Sequence, residues 1–213
     1  MSQEGGDDEF LWLISLSDLM ILLFIFFVVL FSFTYKKVSA LDMKRIAEVM
    51  RTGKVPEMPA DRLKKQLDEF TKTEQLTALI DVIKEDDTIR LEIKDRVLFG
   101  SGQYIPHESG ITVLHKLSKI METIPKEFQI GIEGHTDDIP LRSESIRDNW
   151  ELAARRSLAV FYVMNVSPEL QKRVVVMAYG DQRPLVPNRD VSGIPLPDNQ
   201  AKNRRVTMRL FER

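Results

Sequence analysis

An apolar run from Leu11 to Phe33 carries one carboxylate, Asp18, and three other polar residues, Ser15, Ser17 and Ser32. Wound as a helix at about 1.5 Å per residue, the run is roughly 34 Å long, enough to cross a hydrocarbon core of about 30 Å. A carboxylate inside that core costs on the order of 2.5–3.5 kcal/mol on insertion scales. A chain that keeps such a group uses it, typically to carry a proton or a metal ion.

A secretory signal would need a basic leader and an apolar core of only about 7–15 residues. Here the preceding residues include Glu4, Asp7, Asp8 and Glu9 and contain no Lys or Arg. The run therefore reads as a single-pass anchor. Tyr35, Lys36 and Lys37 follow it, where an interfacial aromatic and snorkelling lysines are expected.

Outside residues 11–33 there remain about 180 residues, enough for one ordinary domain and a connector. The net charge is −2 and the charged residues are mixed in sign, so nothing argues for a nucleic-acid partner. The chain has no cysteine, which excludes disulfides and thiolate metal sites. His107 and His115 lack ligand-like spacing, so a metal site built on His135, Asp137 and Asp138 is not expected. No nucleophilic triad or catalytic carboxylate pair stands out, and neither enzymatic activity nor a cofactor is expected.

Periodicity organises the remainder. Met43, Ile46, Ala47 and Met50 share one face of a short amphipathic helix, Ser39 to Arg51, which Gly53, Pro56 and Pro59 break. Such a segment can lie on a membrane, block a pore or simply connect. Leu63, Leu67, Phe70, Leu76, Leu79, Ile80 and Ile83 predict a second helix from Asp61 to Lys84. Ile89, Leu91 and Ile93 alternate as a strand. Ser109 is a candidate cap for a helix ending before Pro125. A strand at Phe128–Ile132, a helix at Trp150–Met164, and strands at Val174–Met177 and Val206–Leu210 follow. The expected fold class is α+β: one transmembrane helix, a helical linker, then β-α-β-α-β with a final strand, in a mixed sheet with helices on one face.

Gly134-His135-Thr136-Asp137, Asn149-Trp150-Glu151-Leu152 with Arg155 and Arg156, and Asn203-Arg204-Arg205-Val206 occur in that order. Phe99-Gly100-Ser101-Gly102 precedes them and Tyr179-Gly180 stands between the last two. From Thr88 to Arg213 this resembles the OmpA-like peptidoglycan-binding domain. Trp12, Asp18-Leu19-Met20, and the aromatics Phe24, Phe26 and Phe27 resemble the B subunit of flagellar stators, the MotB/PomB family. The resemblance implies residues 1–10 as a cytoplasmic tail, 11–33 as the transmembrane helix, 34–87 as a periplasmic linker and 88–213 as the wall-binding domain.

The resemblance also implies roles. Asp18 would carry the ion, proton or sodium, with Ser15 and Ser17 as possible supports of its path. Asp137 and Arg156 would grip the zwitterionic end of diaminopimelate in peptidoglycan. A free amino group suits a carboxylate, and a free carboxylate suits the guanidinium fork. Thr136, Asn149 and Arg205 would complete the pocket, and Arg155 stands where the family commonly has a small residue. The stripe Met43, Ile46, Ala47, Met50 would serve as a plug. Partners would be a polytopic A-type subunit, five copies to two B chains, and a second copy of this chain. Lys36 and Lys37 would by charge bias hold the globular part in the cytoplasm; the resemblance places it in the periplasm of a bacterial inner-membrane protein. A non-flagellar motor of the Zorya type and a passive wall anchor without ion flow are the alternatives.

Overall fold

The apolar run folds as part of one uninterrupted helix, α1, spanning Gly5–Tyr35. This computed structural model describes residues 5–35, 49–51, 53, 59–141 and 145–212, and the chain divides into two units, Met1–Glu57 and Met58–Arg213. In the first unit, every side chain from Trp12 to Ser32 is exposed, all round the helix. This 21-residue stretch has a mean hydropathy of 2.8. So large an apolar surface needs lipid or partner helices around it. Of the expected plug stripe, Met43, Ile46 and Ala47 lie outside the described residues, while Met50 is exposed. The helical stretch at 49–51 ends at Gly53, whose φ is +67° and whose amide donates to the Val49 carbonyl at 2.8 Å.

The second unit begins with α2, Pro59–Thr73, and a hairpin of β1, Ile80–Glu85, and β2, Thr88–Lys94. The short α3, Asp95–Leu98, leads to α4, Glu108–Glu122, and β3, Phe128–His135. Then come α5, Asn149–Met164, α6, Pro168–Gln171, and β4, Val174–Gly180. The last elements are α7, Pro197–Asn203, and β5, Arg205–Glu212. The sheet order is β1-β2-β5-β3-β4. Only β3 and β4 pair in parallel; the other neighbours are antiparallel. The parallel pair is joined through α5, as a crossover requires. An α+β fold with a mixed sheet is therefore what forms.

Alternation along the strands divides the sheet into two faces. Ile89, Leu91 and Ile93 of β2, Val206, Met208 and Leu210 of β5, and Phe128, Ile130 and Ile132 of β3 are buried on one. Leu63 and Leu67 from α2, Leu114, Leu117 and Met121 from α4, and Val160 and Met164 from α5 join them in one core. The other face carries Arg90 and Glu92 of β2, Arg205, Thr207 and Arg209 of β5, and Glu133 and His135 of β3.

Three sequence expectations need correction. The helix from Asp61 to Lys84 stops at Thr73, and Ile80–Glu85 is a fifth strand. Gln75 turns with φ of +58°, and the Leu76 amide donates to the Thr71 carbonyl at 2.7 Å. Val82 then pairs with Leu91, so hairpin pairing overrides a stripe that also suits a helix. Consequently residues 59–87 are not linker: Leu63 and Leu67 are core residues, and the compact unit starts at Met58 rather than Thr88. Finally, His107 rather than Ser109 caps α4. Its Nδ1 accepts from the Gly110 amide at 3.0 Å, and the Ser109 hydroxyl lies 2.9 Å from the same nitrogen.

Gly134 lets α5 lie against β3. A Cβ there would fall 2.2 Å from the Ala153 carbonyl oxygen, well inside contact distance. This close approach places the first two turns of α5 beside the loop that leaves β3.

Candidate functional site

The loop after β3 is built by backbone and side chain together. The Thr136 amide donates to the Gly180 carbonyl at 2.8 Å, continuing the pairing past a register shift at Gly134/His135. The Thr136 hydroxyl donates to the Asp137 carbonyl at 2.9 Å. Asp137 Oδ1 accepts from the Ile139 amide at 3.2 Å, an Asx-type turn. At the start of α5, Asn149 Nδ2 donates to the carbonyls of Asp137, at 3.2 Å, and Ile139, at 3.0 Å. Asp148 caps that helix by accepting from the Glu151 amide at 2.8 Å, while Glu151 accepts from the Arg147 amide at 2.8 Å. The loop is thus clamped at the helix start, and the Asp137 carboxylate is fixed at its rim.

A cavity of about 280 Å³ opens there. Thr136, Asp137, Asn149, Arg156, Arg204 and Ser101 are among its lining residues. Arg156 is 1% exposed. Its Nε donates to the Gln103 carbonyl at 2.9 Å, its Nη2 lies 3.1 Å from Asp95 Oδ2, and its guanidinium sits 5.2 Å from the Phe99 ring centroid. Burial pulls the Arg156 pKa down and pushes the Asp95 pKa up, each partly offset by the other's charge. Arg204, just beyond α7, donates from Nη1 to Asp137 Oδ2 at 2.6 Å.

Four of the expected pocket residues, Asp137, Arg156, Thr136 and Asn149, therefore converge. Arg205 does not. It follows Arg204 onto β5 and turns to the opposite sheet face, where it lines a different cavity with His135 and Arg209. Arg155 points away from the pocket. It binds Glu151 Oε1 through Nε at 3.0 Å and Nη2 at 2.6 Å, and its guanidinium lies 4.9 Å from the Tyr104 ring centroid. Sequence reasoning missed Arg204 and Asp95 as site residues. The pocket's lining holds one carboxylate and two guanidinium groups, that of Arg156 buried, a charge pattern that complements a zwitterion carrying both amino and carboxylate groups.

His135 lies in the other cavity, stacked on Tyr179 at 5.3 Å, and Asp138 accepts from Gln200 at 2.8 Å. Among the described residues no cluster of three His, Asp or Glu is placed to hold a metal ion.

On the membrane-spanning helix, Asp18 is six residues beyond Trp12 and fourteen before Ser32 in the apolar stretch. That puts it about 9 Å from one end and about 21 Å from the other. Ser15, three residues back, shares its side of the helix; Ser17, its neighbour, does not.

Comparison with known proteins matches both ends of the chain. Residues 1–53 match the family described as membrane MotB of the proton-channel complex MotA/MotB, and residues 98–195 match the OmpA family. The chain is similar to the MotB family and carries an OmpA-like domain. Motility protein B of Bacillus subtilis (strain 168) is 25% identical over 154 residues, covering 72% of this chain and 56% of the relative. The protein YtxE of the same organism is 25% identical over 220 residues, covering 92% of this chain and 86% of the relative. A crystal structure of a putative MotB-like protein from Desulfovibrio vulgaris superimposes with a TM-score of 0.62 at 26% identity, covering 71% of this chain and 93% of that one. The periplasmic domain of Helicobacter pylori MotB gives 0.54 at 25% identity, covering 62% and 82%. Both family matches follow the chain order of the anchor and the pocket.

Proposed function

We propose that this chain is the ion-conducting, wall-anchored B subunit of a flagellar motor stator. Asp18 is the observation that carries the reading: a carboxylate inside a fully exposed apolar span, on the chain whose other unit holds a pocket suited to a zwitterion. A passive anchor has no use for that carboxylate. One helix cannot enclose an aqueous path, so partner helices from a polytopic A-type subunit surround Asp18, five to each pair of B chains. A proton or a sodium ion loads on Asp18 and neutralises it. Moving one charge through 100 mV supplies about 2.3 kcal/mol, comparable to the cost of burying the carboxylate, so neutralisation can switch helix packing.

In this reading the N-terminus is cytoplasmic and the sheet domain periplasmic, held to peptidoglycan by Asp137 at an ammonium and by Arg156 at a carboxylate of diaminopimelate. Thr136 and Asn149 hold the loop in shape. Residues 39–51 act as a plug that closes the path until the domain reaches the wall. Ser15 supports the ion path from the same helix face as Asp18.

The test is Asp18→Asn, which keeps shape and removes the titratable charge. Cells carrying it are expected to assemble the complex at normal levels and to lose both ion conduction and motility. Swimming at near wild-type speed would leave only the anchor.

A further inference from the structure

The sheet face turned away from the core holds a second cavity, of about 160 Å³, unrelated to the Asp137 pocket. Arg90, Arg183, Arg205 and Arg209 line it together with Glu133, His135 and Thr207. Arg205 and Thr207 are 6% and 1% exposed. The segment Arg183–Leu185 covers one side.

Charge within the cluster does not cancel. Glu133 is taken up by Arg209, at 3.1 and 3.2 Å. Arg90 pairs with Glu85 at 2.9 Å and Glu92 at 3.2 Å. Among the described residues no carboxylate lies within 4.0 Å of Arg205 or Arg183. Arg205 instead donates to two carbonyls, of Asn203 at 3.1 Å and of Arg183 at 3.3 Å. Burial lowers its pKa to about 10, which leaves it cationic at neutral pH. Arg183 lies over the Tyr179 ring at 4.0 Å, and the same ring stacks on His135.

Donors also remain open. Arg205 Nε, Thr207 Oγ1 and both His135 ring nitrogens are buried without a hydrogen-bond partner; His135 Nε2 lies 3.6 Å from Glu133 Oε2, beyond hydrogen-bond distance, which leaves Nδ1 as the ring nitrogen farther from that carboxylate. Buried donors in native proteins are nearly always satisfied, and an open guanidinium edge is a stronger demand than a neutral group. Two unbalanced guanidinium groups, a hydroxyl and an imidazole N–H facing one small space form a set of donors that an oxyanion satisfies.

We propose that this cavity binds a phosphate group, held between Arg205 and Arg183 with Thr207 and His135 as further donors. The phosphate is either free or carried as a diester on a polymer at the cell surface. Arg204 and Arg205 then face two different sites from adjacent positions: Arg204 lines the Asp137 pocket and Arg205 the phosphate cavity on the reverse of the sheet. A bound phosphate would also fix the Arg183–Leu185 segment over the sheet.

The test is calorimetric titration of the full-length protein in detergent with inorganic phosphate, and in parallel with a glycerol phosphate diester. Saturable binding to either is expected; phosphate alone identifies a free ion, and the diester as well identifies a polymer-borne group. Arg205→Gln and Arg183→Gln are each expected to weaken binding about tenfold or more, as loss of a charge-assisted bond does. Arg183 is exposed, so its variant keeps the fold even where Arg205→Gln does not. Binding of neither probe, or equal binding by wild type and Arg183→Gln, overturns the proposal.

Discussion

Arg204 Nη1 lies 2.6 Å from Asp137 Oδ2, so the carboxylate assigned to a ligand's ammonium already holds a guanidinium. Arg156 is likewise held by Asp95. The pocket is thus self-paired at both ends, and on the proposed function a zwitterionic ligand would bind by exchanging partners.

Exchange at Asp137 has a sign that can be measured. Arg204 is 37% exposed at its side chain and Asp137 9%, so the pair is half-buried and contributes modestly, on the order of 1 kcal/mol. Removing it leaves Asp137 free for an incoming ammonium. Arg204→Gln is expected to tighten binding of a diaminopimelate-containing muropeptide by about two- to fivefold, measured by calorimetry. Weaker binding would instead make Arg204 a holder of the ligand carboxylate.

Arg156 cannot be removed as cleanly. Arg156→Ala leaves Asp95 as a buried charge without its partner, which typically costs about 3–5 kcal/mol. We expect a matching drop in the free energy of unfolding by urea, and loss of sedimentation with peptidoglycan sacculi. Asp95→Asn added to Arg156→Ala should recover stability but not wall binding. Recovery of both would remove Arg156 from the ligand grip.

Burial holds His135 below the ordinary histidine pKa of 6.5. The unfolded chain takes up a proton near 6.5 while the folded domain does not. Its contribution to stability is therefore intact above 6.5 and lost as pH falls from there, by at most about 1.4 kcal/mol per pH unit. Glu92 and Asp95, both raised by burial, contribute slopes of opposite sign. The informative quantity is consequently the difference between His135→Gln and wild type. Urea midpoints at several pH values below 6.5 should fall less steeply in the variant; parallel slopes would show that His135 titrates normally.

Strand parity made most of the sheet legible. Ile89, Leu91 and Ile93 alternate with charges, Val206, Met208 and Leu210 alternate with polar Thr207 and Arg209, and these two triplets pair in register, Ile89 with Leu210 and Ile93 with Val206. The same parity sends Arg205 to the opposite face, a consequence visible in the sequence once the strand is assigned. The first strand was not legible, because Leu76, Leu79, Ile80 and Ile83 satisfy helical spacing, and only pairing with β2 decides between the two. Asp137, Thr136, Asn149 and Arg156 could be assigned from their motifs. Asp95 and Arg204 could not, since their roles come from contacts across 61 and 67 positions of chain, Arg156 to Asp95 and Arg204 to Asp137.

Gly134 is the residue on which the pocket's geometry depends most directly. Its absent side chain lets Ala153 of α5 approach β3, with 2.2 Å between the Ala153 oxygen and any added Cβ. The obstacle is backbone, so no rotamer change relieves it. Gly134→Ala must push α5 off the strand, and with it Asn149, which clamps the Asp137 loop, and Arg156, which lines the cavity. Overpacking of this kind costs about 1–3 kcal/mol, more where backbone must move. We expect Gly134→Ala to lower the unfolding free energy by at least that amount and to abolish sacculus binding under conditions where the domain is still folded by circular dichroism. Retained binding at wild-type level would mean that the helix and loop can shift together, and that the pocket does not depend on this contact.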